Sequence, residues 1–276
     1  MKIGYIMQAG APDVRKPPFS GPANHMREVF NHLAERGHSL RLIAMFDGGI
    51  WRSDDLEVYD PVYIPESDRG LFRLLERAVR RAQFELRLPY AVFFESLRFA
   101  QACRKELRGF DLLYERMGWV GYGGALAARR LGIPLVLEVN GDHLSEFEML
   151  GVAPKGLQRL LSIKMMKLSI RLASHFIACG DGWRDRLIER WDLDPARVTT
   201  IENGSSVLEY LQREQLRCFQ EGEYTDSEAD ATLAFVGGFQ PWQGVEVMLR
   251  SFAKAIHRGA RLKLWVIGSA PVPSET

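Results

Sequence analysis

At 276 residues, with 36 basic against 35 acidic side chains, the chain suits one large or two smaller domains and has no charge excess to hold a nucleic acid. Its 46% hydrophobic and 26% charged composition is that of a globular protein with a good core. Cys103, Cys179 and Cys218 are odd in number and far apart, so they indicate neither a disulfide framework nor a CxxC metal or redox site.

The first run, "KIGYIM" (2–7), predicts a buried strand; it is too short and too interrupted for the apolar core of a signal peptide. No stretch approaches the roughly 20 apolar residues of a membrane span. The expected setting is the cytoplasm, including the inner face of its membrane. Beyond "QAGAPDVRKPPFSGP", Met26, Val29, Phe30 and Leu33 fall at helical spacing, with Gly37 as the cap that ends the helix. "SLRLIAMF" (39–46) predicts the next strand and completes a βαβ unit with a right-handed parallel crossover. The pattern returns as "DLLYERM" (111–117), a helix over 121–131, "PLVLEVN" (134–140), a helix over 155–172 and "HFIACG" (175–180). A helix over 182–190 and the short strand "RVTTIEN" (197–203) follow. Continuous apolar strands alternating with helices predict an α/β fold, a doubly wound parallel sheet covered on both faces.

"QEGEYTDSEADAT" (220–232) has five carboxylates and no basic residue, so it reads as an exposed connector. Just beyond it "LAFVGGFQPWQGVEVMLRSFAKAIHRGARLKLWVIG" has the grammar of strand, glycine turn, helix and strand. The expected organisation is a Rossmann-like domain over 1–203, a hinge and linker over 204–232, and one βαβ unit over 233–276. Two basic stretches interrupt the alternation. Residues 69–108 carry ten Arg or Lys against four Glu, and residues 155–172 carry five basic residues and no acid. Such surfaces suit an anionic membrane or a phosphorylated acceptor, and they also suit the plain solvated face of a long helix.

In open parallel sheets ligands bind beyond the carboxyl ends of the strands, where loops meet helix N-termini. Four loops qualify: 8–22 with Gly21-Pro22 leading into a helix, "NGDH" (140–143), "ENGSS" (202–206) and "GGFQPWQG" (237–244). Proline in a first helical turn leaves free N–H groups that suit an anion, although Gly21 equally permits the turn alone. No GxSxG, HExxH or paired CxxC occurs, so no nucleophile or metal constellation is predicted. Of six scattered histidines, His25 lies one turn after Gly21 and would point into the strand-end crevice; His32 reads as a surface residue.

Taken together, "SGPANHMREVFNHLAERGHSLRLIA", "DLLYERMGWVGYGGALAARRLGIPLVLEVNG", "LASHFIACGDGWRDRLIERWDLDPARVTTIENGSS" and the final "FVGGFQPWQG" block resemble the retaining, GT-B-fold glycosyltransferases of the family 4 type. The resemblance covers nearly the whole chain except 47–110. It implies a GT-B architecture in which 1–203 is the acceptor-side domain and 233–276 opens the donor-binding domain. It also implies transfer of a sugar, of hexosyl type, from a nucleotide sugar to a glycan, lipid or small-molecule acceptor. Retention of configuration, no metal and no cofactor beyond the nucleotide-sugar substrate belong to the same implication. By position, Gly21 and His25 match the first loop, against donor and acceptor, and Asn140 stands where many members have a histidine near the reacting sugar. Asn203 and Gly204 match the hinge motif. Gly237, Gly238, Gln243 and Gly244 match the donor block.

That block departs from the family pattern at two positions: Gly238 replaces an arginine and Gln243 the phosphate-binding lysine. No Lys or Arg occurs between Arg217 and Arg250. A neutral amide stabilises a developing diphosphate charge less than a cation does. The family's Glu-x7-Glu segment is also absent from this sequence. The expectation is therefore a donor site that is incomplete, and a chain inactive or incomplete alone. The alternatives are a non-catalytic binding module on the acceptor-domain fold and, disfavoured by the lack of GxGxxG, a Rossmann oxidoreductase. The last βαβ unit is expected to expose Phe235, Val236, Leu264, Val266 and Ile267 and to self-associate through that edge.

Overall fold

A computed structural model of the chain describes residues 1–8, 12–17, 19–68, 70–85, 92–204 and 230–268. The connector expected over 220–232 lies outside the described residues up to 229, as do Cys218, part of the loop over 8–22 and positions 205–206 of "ENGSS". The chain divides into two compact units, Met1–Leu144 with Ala153–Asn203, and Ser145–Val152 with Gly204–Thr276.

The first unit is built on an eight-stranded sheet. Its strands are β1 (Lys2–Met7), β2 (Ser39–Phe46), β3 (Gly49–Ser53), β4 (Asp60–Pro61), β5 (Leu112–Arg116), β6 (Leu135–Val139), β7 (His175–Ala178) and β8 (Val198–Thr200). They lie in the order β4-β3-β2-β1-β5-β6-β7-β8. From β2 to β8 all neighbours are parallel, whereas β3 and β4 join antiparallel at the β2 edge. That hairpin is not among the expected elements. It turns on Asp47 and Gly48, which hold φ of +50° and +75°. Positive φ at both central residues is what a two-residue hairpin needs, and Asp-Gly supplies it at low cost.

Eight helices occur up to residue 204 among the described residues: α1 (Gly21–Glu35), α2 (Pro65–Asp68), α3 (Gly70–Glu85), α4 (Phe93–Glu106), α5 (Gly123–Leu131), α6 (His143–Met149), α7 (Gly156–Leu172) and α8 (Asp181–Trp191); all belong to the first unit except α6, which from Ser145 on belongs to the second. The Ser20 side chain caps α1 by accepting from the Ala23 amide at 3.3 Å, and Pro22 occupies the first turn. Gly37, just past the helix end, takes φ +83°. The basic stretch expected over 69–108 resolves into α3 and α4, with 86–91 outside the described residues.

Alternation along the strands sorts the core into two layers. Ile3, Tyr5 and Met7 of β1 join Met26 and Phe30 of α1 and Leu42 and Ala44 of β2 on one face. Ile6, Leu113, Leu135, Leu137 and Phe176 meet Phe99, Cys103 and Ala127 of α4 and α5 on the other. Helix α5 approaches α4 and the sheet closely because it begins with two glycines, Gly123 facing Ser96 of α4 and Gly124 facing Ile6 and Glu115 of the sheet. A β-carbon at Gly123 would stand 2.6 Å from the Ser96 carbonyl oxygen, which is backbone and cannot swing away. Gly123→Ala is expected to cost about 2–3 kcal/mol, the scale of core overpacking, read as a lower urea midpoint.

The second unit contains a parallel pair, β9 (Ala231–Val236) and β10 (Leu262–Ile267), joined through α9 (Val245–His257). Val236, Val266 and Ile267 are exposed as expected. Phe235 and Leu264 are half-buried instead. The Phe235 ring lies 6.0 Å from that of Phe239, and alternation puts Leu264 with half-buried Leu262 on the more covered face. Leu233 and Trp265 add to the open apolar surface. Self-association of the purified chain is expected in sedimentation velocity, and a monodisperse monomer would count against it.

Candidate functional site

The carboxyl ends of β1, β5 and β6 bring together a cluster of polar side chains beside the first turn of α1. Strand parity creates it. Tyr114 and Arg116 are two apart on β5, as are Val136 and Glu138 on β6, and the register pairs Tyr5 with Tyr114 and Arg116 with Glu138. All these project to the α1 face of the sheet. Glu138 is the hub, with its side chain 3% exposed. Its Oε1 meets His25 Nε2 at 2.7 Å and also accepts from the Asn140 amide nitrogen. The Tyr114 hydroxyl donates to Oε2 at 2.7 Å.

Burial on its own raises the Glu138 carboxyl. The hydrogen bonds from His25 and Tyr114, the imidazole charge and the Asn140 amide outweigh it and hold Glu138 below the ordinary carboxylate range. Ionised, the group only accepts, so the proton at the His25 contact belongs to Nε2. When the ring is neutral, Nδ1 is left as its acceptor. The same logic orients Asn140, whose nitrogen points to Glu138, leaving its carbonyl oxygen for a ligand hydroxyl. Tyr114 is raised by burial and by the Glu138 charge, so it stays a phenol and a donor. The Tyr5 ring stacks on Tyr114 with centroids 5.2 Å apart, and the Tyr5 hydroxyl is buried without a hydrogen-bond partner.

Two further contacts fix the surroundings. Arg116 donates to the Pro22 carbonyl at 3.1 Å, tying β5 to the first turn of α1. Gln8, buried at the end of β1, donates to Ser96 Oγ at 2.8 Å and accepts from the Gly123 amide at 2.7 Å. Beyond Asn140, Asp142 pairs with Arg190, and the His143 ring meets the Met117 carbonyl at 3.1 Å. Cys179 offers its thiol to the Asn140 backbone carbonyl at 3.7 Å; burial raises it, so it is no thiolate nucleophile. The cluster holds hydrogen-bonding groups in fixed directions rather than an activated nucleophile. Among the described residues no three His, Cys, Asp or Glu side chains gather as they would around a metal ion.

The expected site residues separate into groups. His25 and Asn140 meet on Glu138. Gly21 opens α1 with open space where a β-carbon would lie, and His32 sits on the surface between Glu28 and Glu35. Asn203 and Gly204 follow β8 as exposed residues. In the second unit, Gln243 ends a short turn after Gly237 and Gly238. Its Oε1 accepts from the Gln240 amide at 3.1 Å, and Gly244 enters α9 at φ +69°. Gln243 thus braces the loop through its oxygen. Glu138, Tyr114 and Arg116 are the residues the sequence reading passed over. Their signal was charge within the apolar strands "PLVLEVN" and "DLLYERM", at the parity shared with Asn140.

This parallel sheet, with its polar cluster at the carboxyl ends of the strands, is Rossmann-like. The chain superposes on a glycosyltransferase from Rickettsia africae with a TM-score of 0.50 at 13% identity, covering 97% of this chain and 60% of that one. The architecture is of the GT-B type. The model of Glycosyltransferase Family 4 matches residues 19–206, and the chain belongs to that family. Among curated proteins, it is 27% identical over 214 residues to a D-inositol 3-phosphate glycosyltransferase of a Nocardioides species, covering 75% of this chain. It is 29% identical over 151 residues, 54% of this chain, to D-inositol 3-phosphate glycosyltransferase 2 of Catenulispora acidiphila. The chain spans 43% and 34% of the lengths of these two relatives.

Proposed function

We propose that the chain supplies the acceptor side, and the opening of the donor side, of a retaining glycosyltransferase. The enzyme would move a hexosyl group from a nucleotide sugar to a hydroxyl of a glycan or lipid-linked acceptor. The observation that carries this reading is the His25–Glu138–Asn140 cluster, which lies at the strand ends within the segment matched by the family. In this reading Asn140 holds a hydroxyl of the sugar in transfer, and His25 faces the acceptor with its Nδ1. Glycine-loop amides at Gly237, Gly238 and Gly244, with Gln243, take the diphosphate. The relatives' names, which specify a phosphorylated polyol, support a hydroxyl-rich acceptor.

One observation favours a second reading, a binding module without turnover. The donor loop has no cation between Arg217 and Arg250, and the Gln243 oxygen is engaged within its own turn. Neutral donors stabilise a leaving diphosphate less than cations do. The test is transfer or donor hydrolysis by the purified chain with a panel of nucleotide sugars, alongside titration calorimetry with the nucleotides. Turnover that falls with Asn140→Ala supports the enzyme. Nucleotide binding with no turnover supports the module. Neither binding nor turnover would sink both.

A further inference from the structure

Among the groups gathered at the strand ends, one ring edge is left unengaged. Both oxygens of Glu138 are occupied, Oε1 by His25 and Asn140 and Oε2 by the Tyr114 hydroxyl. Three donors hold this side chain as a carboxylate, so it supplies charge and not a place for a proton. His25 is clamped through Nε2 and its side chain is 22% exposed; among the described residues Nδ1 has no hydrogen-bond partner. The titratable and charged groups around it have other engagements. On β5, Tyr114 donates to Glu138 and Arg116 to the Pro22 carbonyl, and Tyr5 of β1 stacks on Tyr114. The Cys179 thiol at the end of β7 is raised by burial. Past β6, Asp142 pairs with Arg190 and the His143 ring meets the Met117 carbonyl. On α1 itself, Glu28 lies 3.6 Å from His32, one turn further along.

We propose that His25 is the base of the transfer, its Nδ1 taking the proton of the acceptor hydroxyl, and that Glu138 is the positioning residue that orients the ring and balances the charge it gains. This role rests on the sugar transfer proposed above. As the acceptor oxygen bonds to the anomeric carbon of the donor sugar, its proton passes to Nδ1. The bond from that carbon to the diphosphate oxygen breaks, and its electron pair leaves with the nucleoside diphosphate. The imidazolium keeps its Nε2–H on the Glu138 carboxylate and later returns the extra proton to solvent. A histidine without such a partner spends part of its time in the other tautomer and pays for its own charge; a buried carboxylate on Nε2 removes both losses. The stereochemical course does not enter, because with either outcome the acceptor oxygen sheds one proton.

The test is the pH dependence of turnover by the whole chain, with whichever nucleotide sugar of the panel it transfers or hydrolyses, water then serving as the acceptor. Wild-type kcat/KM should fall along an acidic limb that titrates one group. Glu138→Gln should move that limb to lower pH, since the imidazolium loses its counter-charge. His25→Ala should lose about 10²–10⁴-fold in kcat, abolish the limb and regain activity in added imidazole, with nucleotide affinity by calorimetry unchanged. His25→Gln can still form hydrogen bonds but cannot take the proton, so it should be as slow as His25→Ala. Far-ultraviolet circular dichroism checks each variant, and if Glu138→Gln is unfolded the two His25 variants and the imidazole rescue decide. Turnover with a wild-type rate in His25→Gln, or with an acidic limb that no variant moves, would overturn the role and leave the sugar transfer standing. No turnover with any donor would overturn the transfer, and this role with it.

Discussion

Glu138→Ala is expected to destabilise the first unit by about 2–3 kcal/mol and to release His25 and Asn140 from their fixed orientations. The estimate follows from what the substitution strands. The Tyr114 hydroxyl loses its charged acceptor where water cannot reach it, at about the cost of one buried unsatisfied donor. His25 and Asn140 are half-buried and recover solvent. In nitrogen-15 spectra the wild-type His25 ring should show a protected Nε2–H, and the variant should show exchange between tautomers. The pH dependence has a definite sign. The folded carboxyl of Glu138 sits below its ordinary range, so its stabilisation is present above about pH 4.3 and is lost as pH falls through the folded value. Acid unfolding of the wild type should therefore be steeper than that of the variant. Identical acid limbs, with an unaltered His25 spectrum, would remove Glu138 from its central position.

Glu115→Gln should act in the opposite direction. Glu115 is on β5 between Tyr114 and Arg116, so parity turns it to the other face, against Gly124 and Ile6. It is fully buried, its Oε2 has no hydrogen-bond partner, and burial pushes its carboxyl up to about 8. Between pH 4.5 and 8 the folded chain keeps a proton that the unfolded chain has lost. Stability accordingly falls as pH rises through that window, by up to roughly 5 kcal/mol when converted at 1.36 kcal/mol per pH. Glutamine has the same shape and no charge to bury. It should match the wild type at pH 4.5 and exceed it by about 3–5 kcal/mol at pH 8, read from urea midpoints across the range. A variant no more stable at pH 8 than the wild type would show that Glu115 is ionised and solvated. Taken alone, the two carboxyls place maximum stability near about pH 4.5, where the Glu138 contribution is largely gained and the Glu115 contribution is not yet lost.

Much of the fold was legible because a parallel strand buried on both faces is a continuous apolar run. "KIGYIM" and "SLRLIAMF" coincide with β1 and β2 residue for residue. The hairpin of β3 and β4 was missed although Asp47-Gly48 is a strong turn signal, because β4 has two residues and no periodicity of its own. His25 and Asn140 could be singled out as side chains near loops. Glu138 could not, since a carboxylate in an apolar run reads as an interruption until strand register shows what it faces. Helix α3 exposes the limit of periodicity. Spacing identifies Leu71, Leu75 and Val79 as one face but carries no sign for inside or outside. The Arg98 partner that draws Glu76 inward lies 22 residues away.

The bond from Arg116 to the Pro22 carbonyl has a consequence for recombining this chain with relatives. With the His25–Glu138 contact one turn further on, it bolts α1 to β5 and β6 at two points. Sliding the helix by one 5.4 Å turn would break both. Residues 20–35, 112–116 and 135–140 therefore behave as one heritable block, and chimaeras should keep their ligand preference only when all three segments come from the same parent.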